Sequence, residues 1–187
     1  MSSGYQIKEQ DQLYFLTFQV VDWVDIFTRK IYKDIIIDSL RFCQKNKGLE
    51  VYGYVIMSNH IHLLLRSDTE NLSATIKEFK SFTAKAILQE IETGVESRKE
   101  WMLQVFKNAA FKNQRNTHFQ FWTHENHAEH IYSQKFIAQK LNYIHQNPVR
   151  ARIVNNEIDY VYSSAVNYCG QDGVLDVSLL SLRWKTY

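Results

Sequence analysis

The stretch Leu49-Glu50-Val51-Tyr52-Gly53-Tyr54-Val55-Ile56-Met57-Ser58-Asn59-His60-Ile61-His62-Leu63-Leu64-Leu65 decides the fold. Two aliphatic and β-branched runs flank the short polar link Met57-Ser58-Asn59, the pattern of two strands bounded by turn residues. So short a connection makes an antiparallel hairpin. On the second strand, alternation sends His60 and His62 from one face, roughly 6–7 Å apart along it. By itself the pair is also what the polar face of a half-buried strand presents. Two neutral imidazoles so placed can converge on one divalent cation, which normally wants at least one further ligand.

Outward from the hairpin, Leu13 to Val21 is aromatic and β-branched and predicts a first strand. A helix follows from Arg29 to Asn46, with Gly48 as its stop. Asn71 to Ile91 is helical by period, with Leu72, Ile76, Phe79, Thr83, Ala86 and Ile87 on one stripe and Asn71 as N-cap. Thr117 to Trp122 predicts a fourth strand. Ser133 to Asn147 predicts a last helix, capped by Ser133 and ended before Pro148. The order strand, helix, strand, strand, helix, strand is the α+β, ferredoxin-like split βαβ plan. It implies an antiparallel sheet with helices on one face, plus the extra C-terminal helix.

A chain of 187 residues, 45% hydrophobic and 22% charged, suits one domain with a proper core. Residues 1–187 are therefore read as a single domain with its core at about 13–168. No apolar run approaches the ~20 residues of a membrane helix, and the N-terminus has no signal-peptide pattern. Cys43 and Cys169 lack metal-type spacing, so a reduced, cytoplasmic compartment is the simplest reading. A net charge of +2 leaves any nucleic-acid binding to local patches.

Met57-Ser58-Asn59-His60-Ile61-His62-Leu63-Leu64 resembles the signature of the HUH transposases, the single-strand DNA transposases of insertion sequences and their REP-associated tyrosine transposase relatives. Leu141-Asn142-Tyr143-Ile144-His145-Gln146-Asn147-Pro148-Val149-Arg150-Ala151 is similar to the block around the family's last helix. Tyr160-Val161-Tyr162-Ser163-Ser164-Ala165 is similar to its closing motif. The likeness spans most of Leu13 to Tyr168 and implies the same ferredoxin-like fold.

The resemblance also implies a chemistry. A tyrosine hydroxyl attacks a DNA phosphodiester, leaving a 5′-phosphotyrosine link and a free 3′-hydroxyl, with a divalent cation (Mg2+ or Mn2+) polarising the phosphate. A tyrosine, with a pKa of about 10, needs such help at neutral pH. In the family the nucleophile falls shortly after a Trp-containing strand, and the position matching it here, after Trp122, is Asn126. Three readings stay open: a nucleophile moved to Tyr132, preferred by proximity; Tyr143 on the last helix; or loss of cleavage with binding retained. In relatives the third metal ligand lies about one helical turn after the tyrosine. Counted from Asn126 this points to His130, with His127 and Glu129 as fallbacks.

DNA contacts are expected from cations interleaved with amides and aromatics. Lys107, Lys112 and Arg115 lie in one such stretch, Arg98 to Gln120; Arg150 and Arg152 form a second patch. The resemblance implies single-stranded or hairpin DNA as partner and a homodimer as assembly. The expected activity is metal-dependent cleavage and rejoining. The alternative is a repurposed relative that binds hairpins without cutting; an RNA-binding module on the same fold is a third class, disfavoured by the histidine pair.

Overall fold

The apolar run after Leu13 forms strand β1, Tyr14–Gln19, in which every side chain but Thr17 and Gln19 is buried. Helix α1, Lys30–Lys47, follows and ends at Gly48 with φ +60°, a conformation glycine adopts without penalty. A Cβ there would also collide with the Asp68 carboxylate. Strands β2, Leu49–Ile56, and β3, His60–Ser67, make the expected hairpin, and α2, Leu72–Thr93, buries the stripe Leu72, Ile76, Phe79, Thr83 and Ile87. Then come α3, Lys99–Phe111, the two-residue β4, Glu129–His130, and α4, Gln134–Arg150, whose start is capped by Ser133 accepting from the Phe136 amide. The computed structural model describes residues 6–113 and 118–181.

The sheet order is β2-β3-β1-β4, with every neighbouring pair antiparallel. This is the split βαβ arrangement predicted from the element order. Phe18 meets Phe79 of α2, and α1 packs on α2, so these helices cover the face of Leu16, Phe18, Ile61 and Leu63. The extra helix α4 covers the opposite face. It approaches so closely at Gly53 that a Cβ would lie 2.7 Å from Leu141 Cδ2 and 3.4 Å from Ile144 Cδ1. Glycine is what lets the helix sit against the sheet there.

Two expectations are corrected, and one element is added. The fourth strand is not at 117–122: Thr117 lies outside the described residues, and Trp122 makes only an isolated bridge to Val20. Phe121 and Trp122 are instead buried against Phe27 and Phe106, so their aromatic character serves the core rather than a ladder. The backbone still bonds to β1 at Thr123 and Asn126, but regular pairing resumes only at Glu129 and His130, beyond a stretch in which His127 has φ +41°. The last helix does not stop before Pro148 but runs to Arg150. In the final turn a proline removes one hydrogen bond while its buried ring adds packing. Helix α3 was not predicted at all, although Met102, Phe106 and Ala110, four apart, are its buried stripe.

Candidate active site

Register places Thr17 opposite His62 and Gln19 opposite His60, so both histidines leave the sheet toward α4. Their ring centroids are 4.7 Å apart. His60 Nδ1 lies 2.7 Å from Asn59 Oδ1, an oxygen that only accepts, so Nδ1 carries the proton and Nε2 the lone pair. His62 Nδ1 lies 2.8 Å from Thr17 Oγ1. Its other nitrogen, Nε2, is buried with no hydrogen-bond partner. Burial, then the neighbouring His60, Lys140 and Arg150, push the His62 pKa down to about 3; burial also lowers that of His60. Both rings are therefore neutral at pH 7, the form that ligates a metal.

Helix α4 lays Tyr143 on this pair. Its ring centroid is 5.0 Å from that of His62 and 5.9 Å from that of Phe15, edge-on to both. Lys140, Tyr143, Asn147 and Arg150 follow one another at spacings of three, four and three, a single stripe of the helix. Lys140 Nζ sits 4.2 Å above the Phe15 ring, and the Arg150 guanidinium lies 4.5 Å from the Tyr143 ring. Arg150 also donates to the Tyr143 carbonyl. The Asn147 side-chain amide has a buried nitrogen without a partner. Sequence reasoning passed over Asn147; its position four residues after Tyr143 was the signal available.

The other candidates lie elsewhere. His130 pairs with Tyr14, so its ring, 5.3 Å from that of Tyr14, leaves the sheet on the face away from His62. It faces Glu9 at 3.8 Å. Glu129 pairs with Phe15 and is on the histidine face, where its carboxylate accepts from Lys140 Nζ at 2.7 Å. His127 lies 3.5 Å from Glu125. Among the described residues, no three His, Cys, Asp or Glu side chains converge as a metal site. Tyr132 is 80% exposed, and its ring neighbours are His130 and Phe136.

Asn126 is occupied structurally. Its Oδ1 accepts from Lys80 Nζ at 2.7 Å and its carbonyl from the Thr17 amide. Lys80 also donates to the Thr123 carbonyl, and burial pushes its pKa down to about 8.

Of the expected DNA-contacting cations, Arg150 is at the site and Arg152, exposed with φ +57°, lies just past α4. Lys107 lines a cavity of about 420 Å3 on α3 together with Phe111, His118 and Phe119. Lys112 closes the same helix, and Arg115 lies outside the described residues. No helix among the described residues is long and apolar enough to cross a membrane.

No curated protein matches the sequence. Among solved structures, the chain is similar over its whole length to a REP-associated tyrosine transposase bound to a REP hairpin, covering 99% of that chain at 15% identity and TM-score 0.66. At that identity the likeness is one of fold. A proposed transposase from Deinococcus radiodurans R1 overlaps more loosely, with 63% of this chain on 100% of that one, 17% identity and TM-score 0.38. The family model described as "Transposase IS200 like" matches residues 13–109, from the start of β1 through most of α3 and across the histidine pair. That is more than half of the sequence, and the chain belongs to the IS200-like transposase family.

Proposed function

We propose that this chain binds single-stranded or hairpin DNA and cuts and rejoins one strand, with Tyr143 as the nucleophile. The observation that carries this reading is the contact of the Tyr143 ring with His62, whose Nε2 is buried and unpartnered. The REP hairpin bound by the structural neighbour supports the choice of DNA.

The donor set suits a divalent cation. His60 offers its Nε2 lone pair, held in orientation through Asn59, and His62 its buried, unpartnered Nε2, held in orientation through Thr17. Asn147, one turn after Tyr143, offers a buried carboxamide as the third ligand in place of His130. A bound Mg2+ or Mn2+ supplies Lewis-acid polarisation and orientation of the scissile phosphate. The chain's own part is the rest. The Tyr143 hydroxyl oxygen attacks phosphorus, forming the phosphotyrosine bond as the bond to the 3′ oxygen breaks. The phenolic proton passes to solvent and the departing 3′ oxygen takes one up. The reverse attack by a 3′-hydroxyl rejoins strands. Arg150, stacked on the Tyr143 ring, brings a guanidinium to the phosphate. Homodimerisation belongs to the same proposal, and sedimentation of the purified chain tests it.

End-labelled hairpin DNA carrying a single-stranded extension, incubated with Mn2+ or Mg2+, tests the activity. The reading predicts metal-dependent cleavage to a free 3′-hydroxyl and a denaturant-resistant protein adduct. Hairpin retention in a native gel without any adduct would instead identify a relative that binds and does not cut.

A further inference from the structure

The turn Val20 to Phe27 sends its apolar side chains inward: Val20, Val21, Val24, Ile26 and Phe27 are each 5% exposed or less. Trp23 is the exception. The largest side chain in the turn is 59% exposed. Two adjacent residues hold it outward in the left-handed region, Asp22 at φ +49° and Trp23 at φ +55°. Neither is glycine, and such a pair persists only where its surroundings impose it. The indole centroid lies 6.2 Å from that of His60, edge-on. Asn59 joins the two: its Oδ1 accepts from His60 Nδ1, and its Nδ2 donates to the Trp23 carbonyl at 3.4 Å. One side chain thus orients both the histidine and the turn that presents the indole. Helix α3 packs against the same turn.

An exposed, strained and pinned aromatic beside a phosphate-handling site has the chemistry of a platform for an unpaired base, since every base offers a flat π-face. We infer that Trp23 stacks on the base adjoining the phosphate held at His60, His62 and Tyr143, and so fixes which phosphodiester reaches Tyr143. This inference rests on the DNA reading above. Trp23 acts as a positioning residue.

The test is equilibrium binding with Mn2+ present, every chain, the wild type at Trp23 included, carrying Tyr143→Phe so that no strand is cut. The probes are a labelled DNA hairpin with a mixed-sequence single-stranded extension and a set in which one abasic site is walked along that extension. Trp23→Ala should weaken binding of the intact probe roughly 5- to 140-fold, and Trp23→Phe much less. One abasic position should weaken the wild type to a similar degree while leaving Trp23→Ala no weaker than before. Equal binding by wild type and Trp23→Ala overturns the assignment. So do losses from Trp23→Ala that add to those from every abasic position. A wild-type chain that binds none of the probes overturns the DNA reading itself, and this inference with it. Because Trp23 is exposed, Trp23→Ala should melt within a few degrees of wild type; a folded Trp23→Phe that loses as much binding as Trp23→Ala also contradicts stacking.

Discussion

The ring of Tyr143 lies 5.0 Å from that of His62, at 72° to it. A helix on one side of the sheet and a strand within it thereby bring together a phenol and an imidazole 81 residues apart in sequence. His60, Lys140 and Arg150 are their neighbours. That juxtaposition has expected consequences for metal binding, for pH dependence and for the packing of α4.

Titration with Mn2+ should stabilise the protein through His60, His62 and Asn147. At a hundred times Kd the gain is about 2.7 kcal/mol, a rise in Tm of about 5–11 °C for a chain this size. His60→Ala/His62→Ala should abolish the shift, and Asn147→Ala should weaken the ion on the order of tenfold or more. His130→Ala should leave it unchanged, because that ring faces away. A shift lost in His130→Ala and kept in Asn147→Ala would reverse the ligand assignment.

Thr17→Val preserves shape and removes the hydroxyl that holds His62 Nδ1. An unpaired buried group costs about 1–3 kcal/mol of stability, and losing an orienting partner weakens a metal about 10–100-fold. Calorimetric Mn2+ titration of the variant reads the second effect separately from its melting temperature. Unchanged Mn2+ affinity would show that Thr17 does not orient the ligand.

Stability should fall on mild acidification. Burial holds His62 down to about 3 and His145, bonded to Ser164, down to about 4, against 6.5 in an unfolded chain. The unfolded chain therefore takes up protons near pH 6.5 that the folded one refuses. Stability is full above that pH and is lost below it, at about 1.4 kcal/mol per pH unit for each histidine. Chemical denaturation between pH 8 and 5 should give a plateau, then a decline, and His62→Gln/His145→Gln should flatten the decline. A midpoint that rises toward pH 5 would contradict the sign.

Gly53→Ala puts a Cβ 2.7 Å from Leu141 Cδ2 and should cost about 1–3 kcal/mol by pushing on α4. Since α4 carries Tyr143, adduct formation should drop as well, and Gly53→Ala/Leu141→Ala should recover part of it. A Gly53→Ala protein with wild-type stability would show that the helix has room to yield.

The histidine pair was legible because a period of two fixes the face of every residue in a well-formed strand, and the α1 stop was legible because Gly48 is where the chain needs φ above zero. The fourth strand was not. It is two residues long, and only the free edge of β1 selects Glu129 and His130 over the more strand-like Phe119 to Trp122. One helical turn on from Asn126 points to His130, and proximity to Asn126 points to Tyr132, whereas pairing with Tyr14 puts His130 on the other face of the sheet. Tyr143 reaches His62 through packing of α4 on the sheet at Gly53, a contact that no local pattern encodes.

The most direct test of the central claim is to identify the tyrosine that carries DNA. Wild type, Tyr143→Phe and Tyr132→Phe would be incubated with labelled hairpin DNA and Mn2+, resolved on a denaturing gel, and any adduct mapped by peptide mass spectrometry. With Tyr143 as the nucleophile, an adduct forms in wild type and Tyr132→Phe and not in Tyr143→Phe, and the nucleotide mass lies on the peptide holding Tyr143. An adduct that survives Tyr143→Phe and vanishes in Tyr132→Phe would contradict it.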